Sequence, residues 1–147
     1  MKGFTLLELI ATLAIGSVLV AVAVPTSIQL FQRNQLSDST NSLLRGYQLA
    51  RSYARQFNEN WQVTALGSVV SFSPESGCTD RPQCFQIELT TTQIDSFTPS
   101  TFTFRGEVVS DPLGSIVISH RSGKLTPKCV QVRTLLGVVQ SNDGACL

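Results

Sequence analysis

The chain has 147 residues, a hydrophobic share of 42% and a formal net charge of +1. That length holds one domain plus a tail or anchor, and the apolar share is enough for a packed core, which argues against a disordered chain. The near-neutral balance excludes a bulk electrostatic drive toward nucleic acid or acidic membranes and leaves only local patches to consider.

Over residues 4–24 every residue is apolar, small or hydroxylated except Glu8. As a helix rising 1.5 Å per residue this run is about 30 Å long, one hydrocarbon thickness. Lys2 is the only charge before it and Arg33 the first basic residue after it, so the positive-inside bias keeps the N-terminus cytoplasmic and sends the remainder outward. Ala21-Val22-Ala23 also fits the A-x-A site of an ordinary secretory signal peptide. Glu8 argues against that reading. A carboxylate early in an apolar stretch costs about 2.5 to 3.5 kcal/mol on insertion scales and would serve nothing in a discarded peptide. No Lys or Arg lies in the same run, so its partner must be another chain or a new positive group, and cutting after Gly3 creates one.

Lys2-Gly3 before Phe4-Thr5-Leu6-Leu7-Glu8-Leu9-Ile10, with Pro25 closing the apolar run, resembles the class III leader of type IV pilins and type II secretion pseudopilins. The resemblance implies that a prepilin peptidase cleaves between Gly3 and Phe4, N-methylates Phe4, and leaves Glu8 to pair with the Phe4 amine of a neighbouring subunit. Gly3 suits close approach of a protease to the backbone. Methylation keeps the charge on the amine, and an intramembrane polar pair of this kind holds helices together where no hydrophobic force acts between them. Pro25 removes a backbone donor and either bends the helix where it leaves the membrane or ends it.

Beyond Pro25 the apolar pattern becomes one-sided. Leu36, Leu43, Tyr47, Ala50, Ala54 and Phe57 mark one face of an amphipathic helix, Arg33, Asp38, Arg45, Arg51 and Arg55 occupy much of the rest, and Asn58-Glu59-Asn60 offers a stop. The spacing predicts one long helix over 4–57. Short branched or aromatic stretches follow at 61–66, 69–73, 85–90, 101–109, 115–119, 129–133 and 137–140, punctuated by Gly, Pro, Ser and Asp. A helix face followed by strands predicts an α+β head in which a mainly antiparallel sheet covers the second half of the helix. The expected division is a leader over 1–3, a transmembrane and filament-spine helix over 4–24, its amphipathic half over 25–60 and a β-rich periplasmic or extracellular head over 61–147.

Phe102-Thr103-Phe104-Arg105-Gly106 through Pro112-Leu113-Gly114-Ser115-Ile116-Val117-Ile118 resembles the late strand pair of the GspH/FimT group of minor pilins and pseudopilins, and Leu49-Ala50-Arg51-Ser52-Tyr53-Ala54 fits it more loosely. The four cysteines allow three pairings, of which Cys78 with Cys84 and Cys129 with Cys146 is the compact one. Zinc binding would want tighter Cys/His spacing, and the even count with an export signal points to disulfides in an oxidising compartment. Each bridge is worth about 2 to 4 kcal/mol by loop entropy.

Charge in the head is segregated. Residues 61–104 carry Glu75, Asp80, Glu88 and Asp95 against Arg81 alone, whereas Arg121, Lys124, Lys128 and Arg133, with His120, occupy a later stretch free of acids between Asp111 and Asp143. Those four cations form a candidate DNA-phosphate patch or an ordinary solvated face. DNA-binding relatives carry a C-terminal Gly-Arg-x-Arg element, whereas the matching position here reads Gly137-Val138-Val139-Gln140.

The sequence holds one histidine and no His-Glu-x-x-His, Gly-x-Ser-x-Gly or Walker A pattern, and Gly123-Lys124-Leu125 reads as a hairpin turn. The expectation is therefore a non-enzymatic minor pilin without cofactor, metal or small-molecule substrate. It sits as a single pass in the inner membrane before entering a pilus, where it helps prime or cap assembly. Its partners are prepilin peptidase and other pilins. A DNA-binding minor pilin for natural transformation and a type II secretion pseudopilin are the alternatives.

Overall fold

The computed structural model describes residues 5–78, 83–109 and 112–146, and gives only the backbone of Ala21, Val22, Ala23, Pro25 and Thr26. Gly3 and Phe4, where cleavage and methylation are expected, lie outside the described residues, as do Asp80, Arg81 and Asp111. Helix α1 covers Leu6–Phe57. Eight strands follow: β1 (Trp61–Leu66), β2 (Val69–Pro74), β3 (Phe85–Glu88), β4 (Thr92–Thr98), β5 (Ser100–Phe102), β6 (Ser115–His120), β7 (Lys128–Val132) and β8 (Val139–Asp143). Helical backbone runs through Pro25, so that residue does not end the helix; a proline there costs the bond to the carbonyl one turn back. The chain divides into two compact units, Met1–Asn34 and Gln35–Leu147.

In the first unit the described large apolar side chains are bare, from Leu6 at 76% exposure to Phe31 at 63%. Among the described residues no helix is long and apolar enough to cross a membrane. The described side chains run without a break only over residues 6–20, about 22 Å of helix against about 30 Å of hydrocarbon. The rest of the expected span passes through Ala21, Val22 and Ala23, whose side chains are outside the description.

In the second unit the predicted helix face is the buried one. Leu36, Leu43, Tyr47, Ala50 and Ala54 are all within 2% of full burial. Thr40 fills the gap in that series, buried because its hydroxyl donates to the Leu36 carbonyl at 2.7 Å. Phe57 departs from expectation: at the last helical position it is exposed and its ring rests on Tyr53. The helix stops as read, with Asn58 in the left-handed region (φ 53°) and the Glu59 amide donating to the Ala54 carbonyl, a Schellman closure.

The head is two sheets rather than the single one expected. Strands run β3-β2-β1-β5 in one and β4-β6-β7-β8 in the other, and each paired neighbour is antiparallel. In the first sheet β2 alternates between buried and half-buried positions, as a sheet packed on one face does. In the second, Ile116, Val117 and Ile118 of β6 and Cys129 to Val132 of β7 are buried in succession, so these central strands are covered on both faces. One core joins the helix face to both sheets, with Trp61, Phe72, Phe102, Ile116, Ile118 and Val130 among its members. Tyr47 lies edge-on to Phe72 and Phe102, with ring centroids 5.7 and 6.3 Å apart, the favoured geometry for such pairs.

Two strand expectations need correction. The stretch 101–109 is not one strand, because after β5 the chain turns at Thr103 to Gly106, where Gly106 takes a φ of 77° and its amide donates to the Thr103 carbonyl. Strand β4 was not expected. Its apolar residues Ile94 and Phe97 break the alternation, yet a register shift between Ile94 and Ser96 lets both pack against the core.

Candidate functional site

At the start of the helix Thr5 and Glu8 cap one another. The Thr5 amide and hydroxyl each donate to Glu8 Oε2 at 3.2 Å, and the Glu8 amide donates to Thr5 Oγ1 at 3.3 Å. This is the reciprocal Thr-x-x-Glu capping box, which satisfies two orphan donors of the first turn. Glu8 therefore has a partner within its own chain, which the sequence reading overlooked although Thr5 stands at the diagnostic spacing. Glu8 Oε1 keeps no partner among the described residues. Further along, Thr12 and Ser17 donate their hydroxyls to the Leu9 and Ala14 carbonyls at 2.9 and 2.8 Å. Their polarity is thereby turned inward on the helix, as an apolar surrounding requires.

The structure does not bring the four late cations into one patch. Arg121 and Lys124 are exposed on the β6–β7 turn, near the end of the sheet where Ile118 pairs with Lys128. Lys128 Nζ lies 3.5 Å from Asp143 Oδ1. Arg133 follows Val132 at the other end, where the Val132 amide donates to the Gly114 carbonyl. The five residue steps from Lys128 to Arg133 span about 17 Å of strand. His120 is buried, linking Gln35 Oε1 at 3.1 Å to Ser122, whose amide donates to His120 Nδ1 at 3.1 Å.

Arg51 and Arg55, expected on the polar side of the helix, are fixed in place. Arg51 Nε donates to the Gly106 carbonyl at 3.2 Å and Arg55 Nε to the Arg105 carbonyl at 3.0 Å. The Arg105 guanidinium lies 5.4 Å from the Phe104 ring centroid, within cation–π range. The β7–β8 hairpin joins them: the Val108 amide donates to the Leu135 carbonyl at 2.8 Å, and a Cβ on Gly137 would sit 3.1 Å from Arg51 Nε. Arg51 and Arg55 also line an open hollow of about 410 Å³ with Gln48, Ser52 and Gln56.

Both disulfides form as the compact pairing has them. Cys78 joins Cys84 and Cys129 joins Cys146, with Cα atoms 5.9 and 5.3 Å apart. The second ties the C-terminal segment to buried β7. Among the described residues no group of three or more His, Cys, Asp or Glu is placed to hold a metal ion.

Comparisons with known proteins agree with this anatomy. Residues 1–24 match the prokaryotic N-terminal methylation motif. The type IV major pilin protein PilA of Myxococcus xanthus is 32% identical over 76 residues, which cover 52% of this chain and only 33% of that protein. Two crystal forms of the type IV minor pilin FimU of Pseudomonas aeruginosa share the fold. One has a TM-score of 0.57 at 17% identity over 77% of this chain and 92% of that one, and the other 0.53 at 16% over 72% and 91%. The chain thus carries a methylation motif at its start, is similar in sequence to a type IV pilin over part of its length, and shares the fold of a minor pilin's head.

Proposed function

We propose that the chain is a minor pilin, a structural subunit that helps prime or cap a type IV pilus once prepilin peptidase has cut between Gly3 and Phe4 and methylated the Phe4 amine. The observation that carries this reading is the bare apolar helix with one carboxylate, Glu8, in its first turn. Nothing else in the described first unit covers those side chains, so lipid serves before assembly and neighbouring helices after it. In the inner membrane the capping box holds Glu8, and in the filament its carboxylate takes the positive amine of the next subunit. Pro25 marks the point where that spine can bend.

The minor rather than major role draws its support from the FimU-like fold, which extends over 77% of this chain, whereas the relationship to a major pilin covers 52%. A DNA-binding role finds less support in the head, since Arg133 stands at the opposite end of β7 from Lys128. A secretion pseudopilin would use the same anchor and differ in its partners.

The test is intact mass and N-terminal sequencing of the membrane-derived chain, together with its abundance in sheared filaments. A mature chain beginning at methylated Phe4, present far below the main filament subunit, supports the proposal. A chain beginning at Val24 would mean an ordinary signal peptide and overturn it, and abundance equal to the main subunit would overturn the minor role.

A further inference from the structure

The β7–β8 turn presents two leucines with no folding reason to be there. In the turn 134–137 the Gly137 amide donates to the Thr134 carbonyl at 2.8 Å, and Gly137 takes a φ of 76°. The geometry therefore asks for Gly137, while the two central positions suit Pro, Asp, Asn or Ser. They hold Leu135 and Leu136, which are 66% and 64% exposed. Val109 at 71% and Phe104 at 45% extend the apolar surface; the backbone bond from Arg133 to Val138 closes the hairpin, and the one from Val108 to Leu135 ties the two loops into one built platform.

Arginines border that platform. Arg51 and Arg55 spend their Nε donors on the Gly106 and Arg105 carbonyls, which fixes each guanidinium and leaves its terminal nitrogens available. None of Arg51, Arg55 and Arg105 pairs with a carboxylate among the described residues. A planar fork held this way suits bidentate recognition of carboxylates.

We infer that this leucine platform with its arginine border is a docking surface for the head of a different pilin-like subunit, one that offers an apolar socket edged by carboxylates. The inference rests on the filament reading above and names the surface through which it operates. An extended anionic ligand fits less well. Glu107 belongs to the same loop, and Glu75 accepts from Asn60, whose Oδ1 accepts from the Phe104 amide; a bilayer or a phosphate backbone would meet those acids along with the arginines. A second copy of this chain fits less well too. Among the described residues, the hollow beside Arg51 and Arg55 and the one by Arg133 are lined by arginine and by no acid, so neither offers a second copy the carboxylate-edged socket.

The experiment uses the full chain in cells that produce it, with the photoreactive substitution Val109→p-benzoylphenylalanine, irradiation, and mass spectrometry of the adducts. The expected result is an adduct with a pilin-like subunit of another sequence, on a peptide containing Asp or Glu. In the background Leu135→Ser/Leu136→Ser it should fall at least tenfold, with the chain at its normal level. An adduct chiefly with a second copy or with lipid, an adduct insensitive to the leucine changes, or none at all would overturn the inference. The N-terminal mass from the same samples separates the two failures: a chain cleaved and methylated at Phe4 but lacking the adduct refutes only the docking surface, while an uncut chain refutes the pilin reading with it.

Discussion

The two units of this chain meet their apolar residues with opposite solutions. In the second unit Leu43, Tyr47, Ala50 and Ala54 disappear beneath sheets that follow them in the same chain, whereas in the first Leu6, Leu9, Leu13 and Val18 stand at 55% exposure or more. Covering a side chain of that size is worth about 1.5 to 3 kcal/mol. The head gains this by folding, and under the proposed function the first unit gains it from lipid or from neighbouring helices. Changes in the head should therefore read out as stability, and changes in the first unit as assembly.

The sharpest way to break that comparison is at Glu8, which belongs both to a helix cap and to the proposed intersubunit pair. Glu8→Gln keeps an acceptor at the third helical position, where Gln also serves a capping box, and removes the charge. Recovery in sheared filaments should fall about five- to thirtyfold, as expected from losing an intramembrane polar pair worth about 1 to 2 kcal/mol, while unfolding of the head in detergent stays unchanged. Thr5→Val breaks the box but spares the charge and should cost less recovery. Full recovery of the Gln variant would make Glu8 a cap and no more.

In the head the largest stability loss should follow Cys129→Ala/Cys146→Ala. The bridge spans 17 residues and ties the C-terminal segment to a fully buried position, so the denaturation midpoint should report a loss of about 3 kcal/mol. The shorter bridge at Cys78 and Cys84, with a separation of 6, should contribute less. Next comes a paired test of two helical glycines. A Cβ at Gly46 would lie 2.7 Å from Phe72 Cζ and 2.8 Å from Ile87 Cδ1, whereas one at Gly16 meets nothing within 4 Å. Gly46→Val should destabilise the head by about 2 kcal/mol through overpacking, and Gly16→Val should leave it unchanged. Equal effects would erase the distinction between the units.

What could be read in the sequence follows the strength of each local signal. The helix face at Leu36, Leu43, Tyr47, Ala50 and Ala54 was legible because the 3.6-residue period is sustained over several turns, and the disulfides because only three pairings exist. Two sheets in place of one could not be read, since pairing partners are set by long-range contacts that carry no local pattern. Strand β4 was hidden by its bulge, which moves Phe97 off the period-2 alternation. Arg51 and Arg55 looked like ordinary solvated charges, because their acceptors, the Gly106 and Arg105 carbonyls, lie 55 and 50 residues away. The leucines at 135 and 136 carry a local signal, the wrong residue type for a turn before Gly137.

The smallest effect concerns a single buried hydroxyl at the centre of the head. Tyr47 is fully buried, and neither its hydroxyl nor that of Ser100 completes a hydrogen bond. Burial pushes its ionisation far above the ordinary tyrosine range, and the neighbouring Ser100 hydroxyl draws it back only in part. Removing an unsatisfied buried group relieves a desolvation cost, so Tyr47→Phe should stabilise the head by about 1 kcal/mol at neutral pH. The difference should then grow with alkali. Because the folded phenol keeps its proton while the unfolded one loses it above about pH 10, the wild-type tyrosine withdraws stability as pH rises past that point, by about 1.4 kcal/mol at pH 11. Denaturant unfolding of both chains between pH 8 and pH 11 measures this directly. A constant difference across the range would mean that the folded Tyr47 hydroxyl ionises as readily as the unfolded one, and so that water reaches it where helix, β2 and β5 meet.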